Sequence, residues 1–263
     1  DKKRYYEEAF DLFEKEGQVG GDQGGLFIYK WNNREELESK IDESLKNLLK
    51  IELGEEYGVY DEDHKRLSVL MGLYDNGHVN NQGFTFQNTM NLEAFQMLSP
   101  YRSGYAGTIL LNKLVQSNFR PLKRFAKEKI PFHHSDKIIR LKNWYRGYGR
   151  DRQLILSNGS IGIVTSHSRG FKSKYFFREL DKPRFKVDSE DNFDLAYTIT
   201  VHKAQGSDFT NVFLIIPEKL TLLSKELIYT ALTRSKYRLF IFLKNKEQNL
   251  FEIARNISHL VSR

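Results

Sequence analysis

The chain contains no cysteine among its 263 residues. Disulfide bonds and thiolate metal sites are therefore excluded, and a cytoplasmic address is the expectation. The sequence also lacks an apolar run long enough to span a bilayer and an opening secretory signal. No GxxxxGK segment followed by Ser or Thr occurs in it, so these residues include no phosphate-cradling P-loop.

Basic residues are in excess. Lysine and arginine number 41 against 34 aspartates and glutamates, which gives a formal net charge of +7 and a pI near 9.3. This balance favours an anionic partner, and nucleic acid is the commonest one for a basic cytoplasmic protein. The length of 263 residues is enough for one large domain, or for a domain with an insert, and a hydrophobic fraction of 40% can fill its core.

Two apolar runs near the C-terminal end organise the sequence. Val212–Ile216 and Leu239–Leu243 have the length of strands buried on both faces. A helical pattern with Ser224 as its N-cap lies between them, so the segment predicts one β-α-β unit of a parallel sheet. Arg234 follows on the polar side of this helix. Its guanidinium could reach a phosphate oxygen, or be an ordinary cation at a helix C-terminus.

A second polar segment, TITVHKAQGSDF, lies just upstream of the first of these strands. The pattern predicts a short helical turn capped by Thr200, with Val201 and Ala204 facing inward. Gly206 is the residue that can leave the turn at positive φ.

These segments match known motifs in the right order. TxHKxQGSxF, a buried strand, and then ELxYTAxTRxxxRL resemble motifs V and VI of the superfamily 1 helicases, in the RecD-like branch. LSPYRxGxAG, placed between a predicted strand Phe95–Ser99 and a predicted helix, resembles motif IV. The apolar face of that helix is expected to consist of Ile109, Leu110, Leu114 and Val115. The resemblance implies an α/β fold: a RecA-like parallel sheet flanked by helices, domain 2A, with an inserted small SH3-like β-barrel, 2B.

The resemblance also implies an activity, that of the C-terminal motor half of an ATP-dependent DNA helicase. Arg102 and Arg234 would be catalytic arginine fingers at one shared edge of the sheet, and Gly206 and Asp208 would bind nucleotide, although most relatives have Glu at the latter position. Single-stranded DNA, with RNA left open, would be bound by four residues: Thr200, His202, Lys203 and Gln205. ATP and Mg²⁺ would be held mostly by an N-terminal RecA-like domain outside these residues, so no metal ligand is assigned here.

The domain boundaries follow from composition and pattern. We expect residues 1–25 to form a remnant helix and a flexible glycine-rich linker, residues 26–136 and 195–263 to form 2A, and residues 137–194 to form 2B. In 2A, Leu26–Tyr29 is a predicted strand, and Asn33 with Glu36 has the spacing of a capping box. Residues 53–92 give no prediction.

The insert is expected to contain several short antiparallel strands. Gln153–Ser157 and Ser160–Thr165 flank Asn158–Gly159, a strong hairpin signal. Further strands are predicted at Ile138–Leu141, Tyr175–Leu180 and Phe185–Val187. Cations and aromatic residues alternate over residues 142–152, which suits either contact with a nucleic-acid strand or a solvated basic loop.

Other classes of function stay open. The chain could be a nucleic-acid-binding module without an ATPase partner, or a doubly wound scaffold for protein contacts. A P-loop upstream in the full reading frame would separate the motor from the accessory module. The scaffold leaves the coincidence of three motifs unexplained.

Overall fold

The computed structural model describes residues 17–19, 25–75, 78–79, 90–120, 132–147, 149, 152–167, 173–180, 192–217 and 225–244. Three predicted features lie outside these residues: the helix over 2–16, the Ser224 cap and the strand Phe185–Val187. None of the helices within the described ranges is both long enough and apolar enough to cross a bilayer.

The chain divides into two compact units. The first lies within Asp1–Ser44, Glu93–Leu111 and Thr198–Arg263, and the second within Leu45–Leu92 and Asn112–Tyr197. The boundaries of the predicted 137–194 insert stay a prediction, although its described strands all belong to the second unit.

The described elements are as follows. The strands are β1 (Gly17–Val19), β2 (Gly25–Trp31), β3 (Tyr74–Asp75), β4 (His78–Val79), β5 (Phe95–Ser99), β6 (Lys137–Arg140), β7 (Trp144–Arg146), β8 (Gln153–Leu156), β9 (Ile161–His167), β10 (Ser173–Phe177), β11 (Phe193–Leu195), β12 (Thr198–Thr200), β13 (Phe209–Ile216) and β14 (Ser235–Lys244). The helices are α1 (Arg34–Leu53), α2 (Asp63–Leu70), α3 (Thr108–Phe119) and α4 (Lys225–Leu232), with 3-10 turns at Gly54–Val59 and Val201–Ala204.

A six-stranded sheet forms the centre of the first unit, in the order β1-β2-β14-β13-β5-β12. All neighbours in it are parallel except β1 and β2. The predicted β-α-β unit is confirmed, because α4 connects the adjacent parallel strands β13 and β14. The expectation of a flexible linker is wrong for Gly17–Val19, which pairs with Leu26–Ile28 as an edge strand.

A ladder of aromatic rings crosses this sheet. Phe27, Phe240 and Phe213 are level with one another on β2, β14 and β13, so their side chains share one face. The rings of Phe27 and Phe240 stack at 4.5 Å between centroids, and those of Phe240 and Phe213 at 4.4 Å. A one-residue slip would move each ring to the other face, so the ladder fixes the register of these strands.

The helix after β2 begins as predicted. Asn33 Oδ1 accepts a hydrogen bond from the Glu36 backbone N–H at 2.8 Å, and the Glu36 carboxylate accepts one from the Asn32 N–H at 2.8 Å. The return bond therefore goes one residue further back than in a standard capping box. The apolar stripe of α1 packs inward, because all five of its members are buried: Leu37, Ile41, Leu45, Leu48 and Leu49.

The buried face of α3 differs from the prediction. Ile109 is exposed, whereas Leu111, Val115 and Phe119 are buried at intervals of four residues. The predicted face thus lies partly to one side of the true one, because an apolar run of three residues, Ile109 to Leu111, fits more than one helical stripe.

The second unit contains a four-stranded antiparallel sheet in the order β10-β9-β6-β11, and a two-stranded ribbon of β7 and β8. The predicted hairpin across Asn158–Gly159 is therefore wrong, because the two strands that flank it belong to different sheets. The turn is real, but the Gly159 N–H donates to the Arg140 carbonyl oxygen at 2.9 Å. This contact with another segment is a tertiary interaction that local sequence does not encode.

The four-stranded sheet is strongly curled. Phe193 on the edge strand β11 stacks on Tyr175 of the opposite edge strand β10, with 4.7 Å between ring centroids. In a flat sheet strands three positions apart are separated by about 14 Å. The curl is the kind that a small barrel requires, and the SH3-like barrel itself stays a prediction.

A buried carboxylate anchors the second unit. Both oxygens of Asp136 accept hydrogen bonds: Oδ1 from the Tyr197 hydroxyl at 2.8 Å, and Oδ2 from the His133 N–H at 2.6 Å and Gln116 Nε2 at 2.5 Å. Burial raises the pKa of Asp136, while these donors act in the opposite direction. The pKa of Tyr197 lies well above its usual value because of burial and the neighbouring charge of Asp136.

We expect Tyr197→Phe to lower the free energy of unfolding by about 1.5–3 kcal/mol, because a buried carboxylate loses a hydrogen-bond donor. Urea denaturation measures this change. Tyr237→Phe, at an exposed ring, is the control and should change stability by less than about 0.5 kcal/mol. Equal stability of Tyr197→Phe and wild type would show that the hydroxyl contributes nothing to this network.

Candidate functional site

The segment that resembles motif V runs along the edge of the six-stranded sheet. Thr200 is level with Ser99 at the carboxyl ends of β12 and β5, and the 3-10 turn Val201–Ala204 follows. Val201 and Ala204 are buried as predicted. Thr200 occupies the cap position, but its side chain makes no capping hydrogen bond, so the predicted side-chain cap is wrong.

The predicted nucleic-acid-binding residues lie together on this segment. His202 and Gln205 are exposed, and Lys203 and Thr200 are half-buried. Gly206 has a φ of 80°, as predicted for the residue that leaves the turn. The segment therefore presents a continuous polar surface from the carboxyl end of β12 to the start of β13.

Arg234 is held against the end of this segment. Its Nη1 donates to the Ser207 carbonyl oxygen at 3.1 Å and to Asp208 Oδ1 at 3.1 Å. Its Nε donates to the Thr230 carbonyl oxygen at 3.2 Å, one of the last carbonyl groups of α4. Both readings of the sequence thus apply in part, because the arginine caps its helix and also forms an ion pair with motif V.

The ion pair of Asp208 and Arg234 was not foreseen from the sequence. The two residues are 26 positions apart, and the signal was an acidic and a basic residue in two motifs that flank neighbouring strands. Backbone contacts reinforce the pair, since the Phe209 N–H donates to the Arg234 carbonyl oxygen at 2.8 Å. The side chains of Arg234 and Asp208 are 21% and 49% exposed. The pair is therefore accessible to a ligand.

The second arginine of the motif VI pattern has a structural role. Arg238 is buried, and its Nη1 donates to Asn211 Oδ1 at 3.3 Å. Asn211 in turn donates from Nδ2 to the Ala94 carbonyl oxygen at 2.8 Å. This chain of bonds connects β14 to β13 and to the residue before β5, and no local sequence pattern predicts the role of either side chain.

Arg102 lies in a tight, exposed loop after β5. Ser99 Oγ donates to the Ala106 carbonyl oxygen at 2.7 Å, and the Ile109 N–H donates to the Arg102 carbonyl oxygen at 3.1 Å. Gly107 makes the loop possible, because a Cβ atom there would lie 2.3 Å from the Ser103 carbonyl oxygen and 2.6 Å from that of Arg102. The loop is thus positioned by backbone contacts.

The two arginines do not lie at one edge of the sheet. Leu98 is level with Leu214 and Ile241, and Ile241 is six residues along β14 from Ser235, which follows Arg234. At 3.3 Å per residue this is about 20 Å. The expectation of a shared edge is therefore wrong: the Arg102 loop follows the carboxyl ends of the strands, whereas Arg234 precedes the amino end of β14.

Contacts of the Arg102 loop support this placement. The Tyr105 ring meets Trp31 edge to face at 5.7 Å between centroids, and Trp31 is the last residue of β2. Trp31 is level with Lys244 at the carboxyl end of β14. The sequence motifs show that each arginine lies next to a strand, but they do not show at which end of the sheet. For this reason a shared edge was expected.

Within the described ranges, no group of three or more His, Asp or Glu side chains is arranged to hold a metal ion. The carboxylate of Asp208 is in an ion pair with Arg234. The described residues thus offer guanidinium groups and backbone donors to an anionic ligand, and they do not fit a Mg²⁺ site.

Residues 195–242 match the family described as UvrD-like helicase C-terminal domain. These residues comprise β12, β13, α4 and nearly all of β14, and therefore both Asp208 and Arg234. This part of the chain is therefore similar to a helicase C-terminal domain, and its strands are parallel strands of the six-stranded sheet.

Among relatives, the uncharacterized protein MJ1519 of Methanocaldococcus jannaschii is 31% identical over 65% of this chain and 16% of its own length. The RecBCD enzyme subunit RecD of Buchnera aphidicola is 31% identical over 59% of this chain and 26% of its own. The ATP-dependent RecD2 DNA helicase of Deinococcus radiodurans is 31% identical over 56% of this chain and 20% of its own length. The chain thus spans about a quarter or less of the length of these relatives.

The matches to this helicase family and to the RecD relatives support the resemblance to the RecD-like branch of the superfamily 1 helicases that motifs IV, V and VI predicted. Among solved structures, a crystal structure of Pif1 helicase from Bacteroides aligns over 80% of this chain and 53% of its own, with 15% identity and a TM-score of 0.38.

We expect Gly107→Ala to lower the free energy of unfolding by about 1–3 kcal/mol, because the new Cβ would collide with the backbone of the Arg102 loop. Thermal or urea denaturation measures it. Gly58→Ala is the matched control, since nothing lies within 4 Å of its Cβ position. Similar stability of both variants would mean that the loop is not as tight as described.

Proposed function

We propose that this chain is the C-terminal motor half of an ATP-dependent DNA helicase or translocase. The observation that carries the proposal is the ion pair between Asp208 and Arg234, which joins motif V to motif VI at one exposed site. A motor needs its nucleic-acid-binding segment and its ATP-sensing arginine to move together, and this contact provides the connection. The relative from Deinococcus radiodurans is itself named an ATP-dependent DNA helicase.

Arg234 is the proposed arginine finger. Guanidinium is always charged and presents its donors as a rigid fork, which suits the charge that develops on a transferring phosphoryl group. The guanidinium would bind an incoming phosphate oxygen, while the bonds from Nη1 to Asp208 and from Nε to Thr230 keep the side chain oriented. In such motors a finger raises the rate by about 10³ to 10⁵.

Arg102 does not share this site, and as a second finger it stays a prediction. An ATP molecule that meets Arg234 would be about 20 Å along the strands from the edge that the Arg102 loop follows. The proposal therefore places the catalytic role on Arg234 alone. Asp208 is bonded to Arg234 and Gly206 precedes it by two residues, so contact of either with the nucleotide is compatible with the same site.

The proposed role of the motif V surface is to bind the nucleic-acid strand along which the motor moves, which is called the track here. Thr200, His202, Lys203 and Gln205 would contact the backbone of a single strand, for which exposed polar and cationic side chains on one segment are suited. The net charge of +7 favours the same partner. Single-stranded DNA is the proposed substrate, and RNA is the alternative that the binding experiments below can test.

ATP and Mg²⁺ would be bound mainly by an N-terminal RecA-like domain carried by a longer form of the protein. The sequence has no P-loop, and the described residues do not fit a Mg²⁺ site. When bound between two such domains, Mg²⁺ and ATP supply the polarised phosphoryl group. This chain supplies the arginine and the track.

We expect the polypeptide of these 263 residues to show no DNA-stimulated ATP hydrolysis above a buffer blank, because it lacks the lysine and carboxylates that bind the nucleotide. A coupled-enzyme assay with and without single-stranded DNA measures this rate. Robust turnover by the purified chain would contradict the proposal. Binding of DNA without turnover agrees with it.

In a longer protein that joins this chain to a P-loop domain, we expect Arg234→Ala to lower kcat at least a hundredfold and to leave ATP binding within about threefold. Arg234→Lys should recover only part of the rate, because it keeps the charge and loses the fork. Exposed Lys236→Ala is the nearby control and should leave kcat unchanged. Full turnover by Arg234→Ala would rule out the finger role.

A further inference from the structure

We propose that the ribbon of β7 and β8 in the second unit is a binding surface for single-stranded nucleic acid, on which a base stacks against Arg152 and Tyr145. The surface is called the basic ribbon here and comprises the described residues 142–147, 149 and 152–156. It is separate in sequence from the motif V surface, to which the proposed function assigns the track, so the two sites are tested independently.

A flat guanidinium platform is already formed on the basic ribbon. The Arg152 guanidinium carbon lies 4.0 Å from the centroid of the Tyr145 ring, so the cation covers one face of the ring. Arg152 is exposed, and Tyr145 is 37% exposed. Bases of single strands stack on aromatic rings and on guanidinium planes, and both are accessible here.

Apolar surface adjoins this platform. Leu154 is 51% exposed and lies directly across the ribbon from Tyr145. On the same two strands Trp144 is paired with Leu156, which is buried, so one face of the ribbon packs inward and the other keeps its apolar groups in water. A solvated basic loop gains nothing from an exposed leucine beside an aromatic ring, whereas a base-stacking surface does.

The charge of the basic ribbon fits a polyanion. Its described residues include three cations, Lys142, Arg146 and Arg152, and no carboxylate. Lys142 and Arg146 are exposed near Tyr145, where they can contact phosphate groups on either side of a stacked base. Stacking platforms interleaved with cations are the usual construction of sequence-tolerant single-strand sites.

Hydrogen bonds hold the ring in place. Asn143 Nδ2 donates to the Tyr145 hydroxyl oxygen at 3.1 Å, and Asn143 Oδ1 accepts from the Asn158 N–H at 2.7 Å. The ring is thus positioned before a ligand arrives, which lowers the entropic cost of binding.

The same unit offers a matched control. Tyr57 also lies beneath an arginine, with the Arg66 guanidinium carbon 3.9 Å from its ring centroid. The surrounding residues 54–63 contain five carboxylates and no lysine or arginine, so a polyanion should avoid this pair. Tyr57→Ala therefore removes a similar cation–π contact without touching the proposed site.

The test measures binding of fluorescein-labelled dT15, and of the RNA U15, to the 263-residue chain by fluorescence anisotropy over a range of salt concentrations. We expect Tyr145→Ala and Arg152→Ala to weaken binding about 5- to 150-fold, and Tyr145→Phe to bind within about twofold of wild type. Arg152→Lys, which keeps the charge and loses the plane, should also weaken binding several-fold.

The salt dependence separates stacking from charge. Arg152→Ala should reduce the slope of log K against log salt by about 0.7, whereas Tyr145→Ala should leave it unchanged. Tyr57→Ala should match wild type throughout. Circular dichroism and urea midpoints verify folding, and Tyr145→Phe and Arg152→Lys keep the test decisive if an alanine variant fails to fold.

Three results would overturn the proposal: no binding of either oligonucleotide by wild type at low salt, unchanged binding by Tyr145→Ala, or wild-type binding by Arg152→Lys. The last would show that charge alone accounts for the affinity. His202→Ala and Lys203→Ala report on the motif V surface in the same assay. If His202→Ala and Lys203→Ala lose binding and Tyr145→Ala binds as wild type does, the proposed function stays intact and the basic ribbon is refuted as a binding surface.

Discussion

The parallel register of β13 with its two neighbours is the constraint on which the first unit depends. Stacked rings of Phe27, Phe240 and Phe213 fix it, and the buried bonds of Asn211 and Arg238 reinforce it. The connection between two parallel strands must run back to the end of the sheet at which the first strand began. The register of the strands therefore decides which polar segment lies at which end of the sheet. The position of every candidate residue of this unit follows from it.

Motif V connects the two ends of that sheet. It leaves β12 at the carboxyl edge, level with Ser99, and reaches Asp208 just before β13 begins at the amino edge. Asp208 is bonded to Arg234 there. In the proposed motor, a displacement of the track surface is therefore transmitted to the arginine through a single short segment of backbone and one ion pair, with no need for a longer pathway.

Local pattern predicted much of this structure. The strands around Phe95, Val212 and Leu239, the helix that begins after Asn33 and the turn of Val201–Ala204 all form where apolar periodicity and capping residues place them. The failures share a cause. Asn158–Gly159 forms a turn between two different sheets, and the buried face of α3 is shifted, because partners distant in sequence select among conformations that are locally equivalent.

By itself the sequence indicated the class of the protein: the spacing within motifs IV, V and VI is a local property, and the match of residues 195–242 to a helicase C-terminal family supports the resemblance. Only the tertiary structure decided that Arg234 pairs with Asp208, that Arg102 belongs to the opposite edge, and that Arg152 covers the ring of Tyr145. These facts depend on strand register and on contacts between separate segments. A linear pattern fixes the residue types available to a site, whereas the folded chain fixes their neighbours.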